Sequence, residues 1–274
     1  MKYMPLICAC LFGLASSFPT AGAAQSGESL FGKQTLSVTY GPYARVELGA
    51  AASSLGDGNW LPPGRADPQI TFDVMPDKSH TGFGAIALGY DWQNGFRGDL
   101  ALFRAGRNDL NAPCVSASDG TSCATHSDIT GGSIQTNGAM ANVYYAPLEA
   151  QGSNALLQPF VSAGLGVAQS TVGDWTRTKN PGNATAGSDT VRTYLGDTSN
   201  SVAWSVGLGA SYQVTPAGKW PVLAEASWRY YDFGRATGSA VSANGKGAAP
   251  REAFSFGNTS QVLSISLRIP LERY

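Results

Sequence analysis

A period-two pattern near the end of the chain constrains its fold most strongly. Residues 261–271 read Q-V-L-S-I-S-L-R-I-P-L, so that from Leu263 to Leu271 leucine or isoleucine alternates with serine, arginine or proline. Successive side chains of an extended chain point to opposite faces, so this pattern predicts a strand with one apolar and one polar face. Such a strand also occurs in soluble β-sandwiches, so this segment alone does not decide the fold class.

Seven further segments show the same alternation. The clearest is 201–214, where Val202, Trp204 and Val206 share one face and Ser205 and Gly207 the other. Gln93-Asn94-Gly95 separates two of the segments, and Asn-Gly tolerates the positive φ that tight hairpin turns need. The predicted strands cover residues 36–50, 82–92, 96–104, 134–146, 158–169, 201–214, 220–233 and 261–271.

The connections between these segments alternate in length. Residues 53–79, 108–132, 170–199 and 235–258 predict long polar loops, whereas the connections after the second, fourth and sixth strands are short. Outer-membrane barrels have this asymmetry, with long extracellular loops and short periplasmic turns. The pattern therefore predicts an all-β, eight-stranded antiparallel up-and-down transmembrane β-barrel. A soluble lipocalin-like barrel is the alternative, but it does not require regular loop asymmetry.

The first residues are typical of a secretory signal. Lys2 precedes an apolar core over 6–15, and Ala21-Gly22-Ala23 or Gly22-Ala23-Ala24 fits the small-residue cleavage pattern. We therefore expect a cleaved signal peptide at 1–24 and an outer-membrane β-barrel domain at 25–274. No later segment has the roughly 18 consecutive apolar residues of a transmembrane helix.

Composition agrees with this location. Only 14% of residues are charged, the net charge is -1 and the mean hydropathy is -0.10. Near-zero hydropathy is expected when only every second strand residue faces lipid. A nucleic-acid partner would need a basic stripe, and none is present.

Charged residues on the polar strand faces predict a filled lumen, because eight strands leave just enough room for side chains. We expect them to form a network of ion pairs and hydrogen bonds, which favours a plug over a gated ion path. Small inward residues such as Gly164, Gly166, Gly207 and Gly209 predict local water-filled pockets. The predicted lumen network comprises Arg45, Glu47, Arg97, Asp99, Glu225, Arg229, Tyr231 and Arg268.

Two other groups of residues carry predictions. Cys114 and Cys123 remain after signal cleavage and predict a disulfide across one surface loop, with two free thiols as the alternative. Aromatic residues beside the short turns predict an interfacial girdle at headgroup level. This girdle comprises Tyr90, Trp92, Phe96, Tyr145, Tyr212 and Trp220.

Candidate catalytic residues are few. His80 and His126 are the two histidines, and both fall in predicted loops. His126-Ser127-Asp128 contains the residue types of a catalytic triad, but adjacent residues cannot point at one another as a triad requires. Two cysteines are too few for a structural zinc site. The sequence thus predicts no catalytic residue, no metal and no cofactor.

Several stretches resemble the outer-membrane β-barrel surface-protein family of Gram-negative bacteria, which includes opacity-like proteins and small porin-family surface antigens. They are G-A-I-A-L-G-Y-D-W-Q-N-G-F-R (84–97), M-A-N-V-Y-Y (140–145), P-F-V-S-A-G-L-G-V-A (159–168) and W-R-Y-Y-D-F-G (228–234). The resemblance implies an eight-stranded barrel with exposed loops and structural, adhesive or porin-like roles. Tyr274 departs from the family pattern, because it is out of phase with the outward residues Leu267, Ile269 and Leu271.

These observations predict a non-enzymatic outer-membrane surface protein with a structural, adhesive or loop-mediated role. The alternatives are a narrow porin-like channel for small solutes or ions and, less favoured, a barrel enzyme acting on lipid or peptide. The expected partners are outer-membrane lipid and lipopolysaccharide, the barrel assembly machinery and an extracellular loop ligand that the sequence does not identify.

Overall fold

The structure, a computed structural model, describes residues 41–63, 68–153, 155–183, 191–215, 220–243, 245 and 248–272. The predicted signal peptide, the first part of the first predicted strand and Tyr274 lie outside these residues. Within them the chain forms strands, one α-helical turn, α1 (Pro147–Ala150), and two 3-10 turns at Cys123–Thr125 and Pro181–Asn183. The strands are β1 (Gly41–Leu55), β2 (Gly58–Leu61), β3 (Ile70–Phe72), β4 (Met75–Pro76), β5 (Thr81–Asp91), β6 (Phe96–Asn111), β7 (Cys114–Ala117), β8 (Ser127–Gly131), β9 (Ser133–Tyr145), β10 (Leu157–Val172), β11 (Trp175–Lys179), β12 (Val191–Tyr194), β13 (Asp197–Gln213), β14 (Leu223–Thr237) and β15 (Glu252–Pro270).

Eight long strands close into a barrel. Strands β1, β5, β6, β9, β10, β13, β14 and β15 pair in that order, each antiparallel to the next. Strand β15 also pairs with β1, from Tyr43 opposite Pro270 to Leu55 opposite Asn258, so the sheet has no free edge along this seam. The predicted eight-stranded antiparallel up-and-down barrel is confirmed.

The turn between β5 and β6 differs from its predicted geometry. Positive φ occurs at Gln93 and Gly95, whereas Asn94 is not in this conformation. The Asn94 side chain instead accepts a hydrogen bond from the Phe96 amide at 3.1 Å, and Asp91 accepts one from the Gln93 amide. Asparagine therefore acts here through its side-chain oxygen rather than through its tolerance of positive φ.

Several strands are longer than the period-two pattern predicted. Strand β6 continues to Asn111, β14 to Thr237, and β15 begins at Glu252. These extensions lie beyond the apolar part of the barrel, where outward side chains face water and are polar. The apolar alternation that marks a lipid-facing strand therefore stops before the strand does.

The predicted long polar loops also contain ordered structure. Strand β15 pairs with β2, β2 with β3 and β3 with β7, while β8, β11 and β12 form a second, three-stranded sheet. We call the part of the protein formed by β2–β4, β7, β8, β11, β12 and the outer ends of the barrel strands the cap. No helix in the described residues is long and apolar enough to cross a membrane.

Candidate functional site

The interior of the barrel is the first candidate site, and strand alternation decides which side chains reach it. In the half of the barrel nearest the short turns, strands β1, β6, β14 and β15 turn charged residues inward, because the large apolar residues at neighbouring positions face outward. The structure places all eight residues of the predicted lumen network in the interior. It also places Asp91 of β5 there, which the sequence prediction left out. The signal was available, because Asp91 alternates with Tyr90 and Trp92, which face outward.

One half of this network is centred on Asp99 and Glu47. Asp99 accepts hydrogen bonds from Arg45 Nε at 3.0 Å and from the Tyr144 hydroxyl at 3.1 Å. Arg45 also pairs with Glu47, which accepts a hydrogen bond from Ser264 Oγ at 2.6 Å. Arg229 lies 3.9 Å from Glu47.

The other half is centred on Glu225. One carboxylate oxygen, Oε1, lies 2.9 Å from Arg97 NH2 and 3.0 Å from Arg268 Nε. Arg268 also donates from NH1 to Asp91 at 2.6 Å. The guanidinium carbon of Arg97 lies 4.5 Å from the centroid of the Tyr144 ring, which connects the two halves.

The four arginines and four carboxylates of the interior carry equal numbers of positive and negative charges. Each of the eight residues is at most 6% exposed, so bulk water does not neutralise their charges. A buried charge is tolerated only when it is paired and hydrogen-bonded. Each of these groups has a partner of opposite charge and at least one hydrogen bond, although some guanidinium nitrogens of Arg45, Arg97 and Arg229 have no hydrogen-bond partner. We call these charged residues the lumen network; relative to the predicted set it contains Asp91 and leaves out the uncharged Tyr231. Its members are Arg45, Arg97, Arg229, Arg268, Glu47, Asp91, Asp99 and Glu225.

An aromatic layer lies above the lumen network, on the side of the cap. Phe103 stacks on Phe233 with centroids 5.4 Å apart, and Phe83 packs on Tyr231 at the same distance. Met140 and Val262 belong to the same buried cluster. The sequence interpretation missed this layer because it treated the inward face as polar; the inward parity of Phe83 and Phe103 was the available signal.

The inward glycines do not enclose the predicted water-filled pockets. A Cβ at Gly164 would lie 2.6 Å from the Met140 sulfur, and one at Gly207 would lie 2.5 Å from Cγ of Arg229. Large side chains from neighbouring strands already occupy the space above these glycines. The prediction of pockets there is wrong, because small residues in a narrow barrel compensate for large ones beside them.

The cap has a hydrophobic core of its own. Trp175 stacks on Tyr194 with centroids 4.3 Å apart, and it also packs against Trp60 and Phe254. The Trp175 indole donates to the Ser239 carbonyl at 3.1 Å. Cys114 and Cys123 form a disulfide that joins β7 to the following 3-10 turn. The expectation of plain polar loops is therefore wrong: they pack into a structured cap.

The histidines lie in the cap and are not assembled for nucleophilic catalysis. His80 contacts only the neighbouring Ser79 hydroxyl among the hydrogen-bond partners described. His126 Nε2 lies 2.6 Å from Thr121 Oγ1, which donates its only proton to Asp119 at 2.7 Å. His126 must therefore be the donor to Thr121 and cannot accept the threonine proton in this arrangement. The Thr121 hydrogen bonds lower the pKa of Asp119.

The other members of the adjacent triad-like sequence are engaged elsewhere. Ser127 accepts a hydrogen bond from Arg177 NH1 at 3.0 Å. Asp128 accepts hydrogen bonds from the Cys114 amide at 2.8 Å and from Asn180 Nδ2 at 3.3 Å. In the described residues no group of three or more His, Cys, Asp or Glu side chains is arranged to hold a metal ion.

The outer wall of the barrel is apolar. Leu100 and Ile265 are each 70% exposed, and the exposed positions follow one another around the barrel at the same height as the lumen network. A soluble barrel would bury this face, so the lipocalin-like alternative does not apply. Further members of the band are Val46, Leu48, Ile86, Leu88, Leu102, Val161, Leu165, Val202, Leu208, Leu263 and Leu267.

Exposed aromatic residues border this band at the end with the short turns. Phe96 packs on Tyr145 with centroids 4.7 Å apart, and Tyr90 on Trp92 at 5.8 Å. The Trp220 indole donates to the Pro270 carbonyl at 3.0 Å. Tyr212, the remaining member of the predicted girdle, is exposed as well. Such rings suit the boundary between hydrocarbon and headgroups.

A closed antiparallel barrel with an outward apolar band and a charged interior defines the class: the protein is a β-barrel of the bacterial outer membrane. The sequence matches no protein-family profile and no curated protein.

Solved structures of several bacterial outer-membrane proteins are similar to the chain. Neisserial surface protein A is 17% identical with a TM-score of 0.38, over 84% of this chain and 97% of that chain. The outer membrane protein OprG from Pseudomonas aeruginosa is 13% identical with a TM-score of 0.48, over 84% and 97%. Ail, the attachment invasion locus protein of Yersinia pestis, is 10% identical with a TM-score of 0.32, over 83% and 98%.

Proposed function

We propose that this barrel is a non-conducting, non-enzymatic surface protein whose structural or adhesive role is carried out by the cap. The observation that carries the proposal is the double closure of the lumen. The lumen network fills one level with paired charges, and the aromatic layer fills the next.

The contacts across the lumen argue against a narrow channel. Arg229 of β14 donates from NH2 to the Tyr144 hydroxyl of β9 at 3.0 Å, so this bond spans the interior between strands that do not pair. Arg97 of β6 reaches Glu225 of β14 in the same way. An ion on this path would have to displace buried pairs whose separation is unfavourable.

The cap supports the proposed role at the surface. It has a buried core, an extension of the barrel sheet, a separate three-stranded sheet and a disulfide, so it has a defined shape outside the membrane. Surfaces held in one conformation bind with a smaller loss of entropy than disordered loops do. We propose that an extracellular ligand contacts the cap, that lipid and lipopolysaccharide contact the apolar band, and that the barrel assembly machinery inserts the chain.

Single-channel recording tests the closed lumen. The refolded protein is inserted into planar bilayers, and a general porin inserted into the same membrane shows that open pores are detected. We expect a flat current for this protein in monovalent salt. Discrete and reproducible openings would contradict the proposal and favour the narrow channel.

Alanine variants of the two histidines test the absence of catalysis. The wild type, His80→Ala and His126→Ala are compared in phospholipid- and peptide-hydrolysis assays. We expect no turnover from any of the three proteins. Turnover by the wild type that is lost in either variant would contradict the proposal.

A further inference from the structure

A cavity in the cap has the lining of an anion site. It encloses about 280 Å³ between the β2–β3 hairpin and strands β8 and β11. We call it the cap pocket. Prolines of the β2–β3 connection form one wall, and the other side chains that matter are Trp60, His126, Ser127, Arg177 and Lys179. No aspartate or glutamate of the described residues lines it.

Arg177 is the principal cation of the cap pocket. It is only 7% exposed, and its NH1 donates to the neutral hydroxyl of Ser127 at 3.0 Å. Its Nε has no hydrogen-bond partner, and no carboxylate of the described residues pairs with its guanidinium. The Nε atoms of Arg97 and Arg229 in the lumen also lack a hydrogen-bond partner. The difference is that all four lumen arginines are paired with carboxylates. A buried cation without a counter-ion is unfavourable, so the pocket favours an anion.

Strand alternation keeps Asp128, the acidic residue of the paired strand β8, away from Arg177. Arg177 is opposite Ile129 in the β8–β11 pairing, and Thr178 is opposite Asp128. Arg177 and Lys179 therefore share the pocket face with Ser127, while Asp128 points to the other face. The Asp128 carboxylate is used there by the Cys114 amide and by Asn180.

Trp60 supplies a second unused polar group. Its side chain is buried, and its indole N–H has no acceptor among the described residues. The Arg177 guanidinium carbon lies 5.6 Å from the Trp60 ring centroid, so the ring holds the cation at the wall of the pocket.

We propose that the cap pocket binds a small oxyanion, a phosphate or sulfate group, free or carried as an ester. The planar guanidinium matches the geometry of such oxyanions, and Lys179 adds a second positive charge. The volume of about 280 Å³ lies just below the range of about 300–1,000 Å³ for small-molecule sites, which suits a small anion. This inference rests on the proposed surface role, since it names the chemistry of a ligand for the cap.

Isothermal titration calorimetry of the refolded barrel in a maltoside detergent, which carries no phosphate, tests the site. Sodium phosphate and sodium sulfate are titrated at constant ionic strength, with sodium chloride as the reference. We expect saturable heat at one site for phosphate or sulfate and none for chloride. No saturable heat with either oxyanion would overturn the proposal.

Variants locate the binding. We expect Arg177→Gln to weaken oxyanion binding at least tenfold and Lys179→Gln to weaken it less. Lys78→Gln, which removes an exposed charge of the cap outside the pocket, should leave it unchanged. Equal losses in Lys78→Gln and Arg177→Gln would overturn the proposal, because diffuse surface charge would then account for the heat. Lys179→Gln keeps the test valid if Arg177→Gln does not refold.

A second titration distinguishes the sources of the anion. Glucose 6-phosphate represents a soluble ester, and short-chain phosphatidic acid represents a lipid headgroup. Binding of either that depends on Arg177 supports the site and identifies its source. If the wild type binds no oxyanion and its current in the bilayer stays flat, this inference alone is refuted. If it binds an oxyanion but shows channel openings, the closed lumen alone is refuted.

Discussion

At the scale of single residues, Asp99 is the acceptor on which one half of the lumen network depends. Besides Arg45 and Tyr144, it accepts a hydrogen bond from Asn142 Nδ2 at 2.7 Å, and the Tyr43 hydroxyl lies 3.3 Å away. The donors come from strands β1 and β9, so one carboxylate on β6 holds three strands together.

Asp99→Asn removes the charge of this acceptor but keeps its shape. Breaking a buried ion pair by removing one partner costs about 3–5 kcal/mol, because the other charge remains buried. We expect the free energy of unfolding to fall by about 3 kcal/mol, measured by urea titration in lipid vesicles with tryptophan fluorescence. Asp57→Asn, an exposed control in the cap, should change it by less than about 0.5 kcal/mol. Similar values for the two variants would contradict the role assigned to Asp99.

The environment of Glu149 in α1 predicts that the stability of the fold depends on pH. Burial, and then the nearby charge of Asp91, raise the pKa of its carboxyl. A carboxyl with a raised folded-state pKa stabilises the fold below its unfolded pKa, and this contribution is lost as pH rises through the folded pKa. We therefore expect Glu149→Gln to gain stability relative to wild type as pH rises from about 4 to 7.

Asp119 provides a comparison of opposite sign. Its lowered pKa stabilises the fold above the unfolded pKa, and this contribution is lost as pH falls through the folded pKa. Asp119→Asn should therefore lose stability relative to wild type at neutral pH but not at low pH. The same unfolding titrations at several pH values check both variants. Shifts of the same sign in the two variants would contradict the assignment.

At the scale of the elements, inward glycines set how closely the strands and their side chains pack. A Cβ at Gly166 of β10 would lie 2.1 Å from the Ala139 carbonyl oxygen of β9, which is backbone and cannot rotate away. Gly84 of β5 faces outward, with the parity of Ile86 and Leu88, and a Cβ there would find its nearest atoms 3.8 Å away, an ordinary contact.

The two positions contrast a crowded inward glycine with an uncrowded outward one. We expect Gly166→Ala to destabilise the barrel by about 1–3 kcal/mol, the usual cost of overpacking. Gly84→Ala should be neutral or slightly stabilising, since alanine also reduces the freedom of the unfolded chain. Urea midpoints in vesicles measure both. Equal destabilisation by the two variants would contradict the packing account.

Because the cap has its own core and disulfide, we expect that it can be destabilised without destabilising the barrel. The disulfide closes a short loop, and such a loop is worth roughly 2–3 kcal/mol in the chain-entropy account. We expect Cys114→Ser with Cys123→Ser to increase proteolysis of the cap on intact cells, while the membrane-embedded strands stay protected. Unchanged proteolysis would show that the aromatic core holds the cap without the disulfide.

The barrel strands and the cap differed in how far the sequence could predict them. The strands at 201–214 and 261–271 were predictable because lipid on one side and a packed lumen on the other impose a period of two. Strands β2, β3, β4 and β12 are two to four residues long, too short to show a period. Their pairing depends on partners far along the chain, and the only local signal was aromatic residues such as Trp60 and Trp175 in polar surroundings.

The sequence also predicted the inward charges better than their arrangement. Parity alone identified Arg45, Glu47 and Asp99 as sharing the interior. Which arginine pairs with which carboxylate depends on the register and the tilt of the strands. Neither can be derived from the sequence of one strand. Arg177 could not be identified as a pocket cation, because its strand β11 was predicted as loop.

At the scale of the whole molecule, the interior is organised in levels along the barrel axis. The lumen network lies nearest the short turns, the aromatic layer follows, and the core of the cap comes last. Between the last two, Asn258 donates to Thr136 at 2.9 Å and to Ser170 at 3.1 Å. The apolar band outside and the filled interior together give an outer-membrane barrel that carries the cap at one end.

The most direct test of this account is gel migration of the outer-membrane fraction in detergent, unheated against boiled. Every strand of a closed barrel is hydrogen-bonded on both sides, so the fold resists detergent until it is heated. We expect the unheated protein to run at a different apparent mass from the boiled protein. Identical migration, together with protein found in the soluble periplasm, would contradict the membrane-spanning barrel.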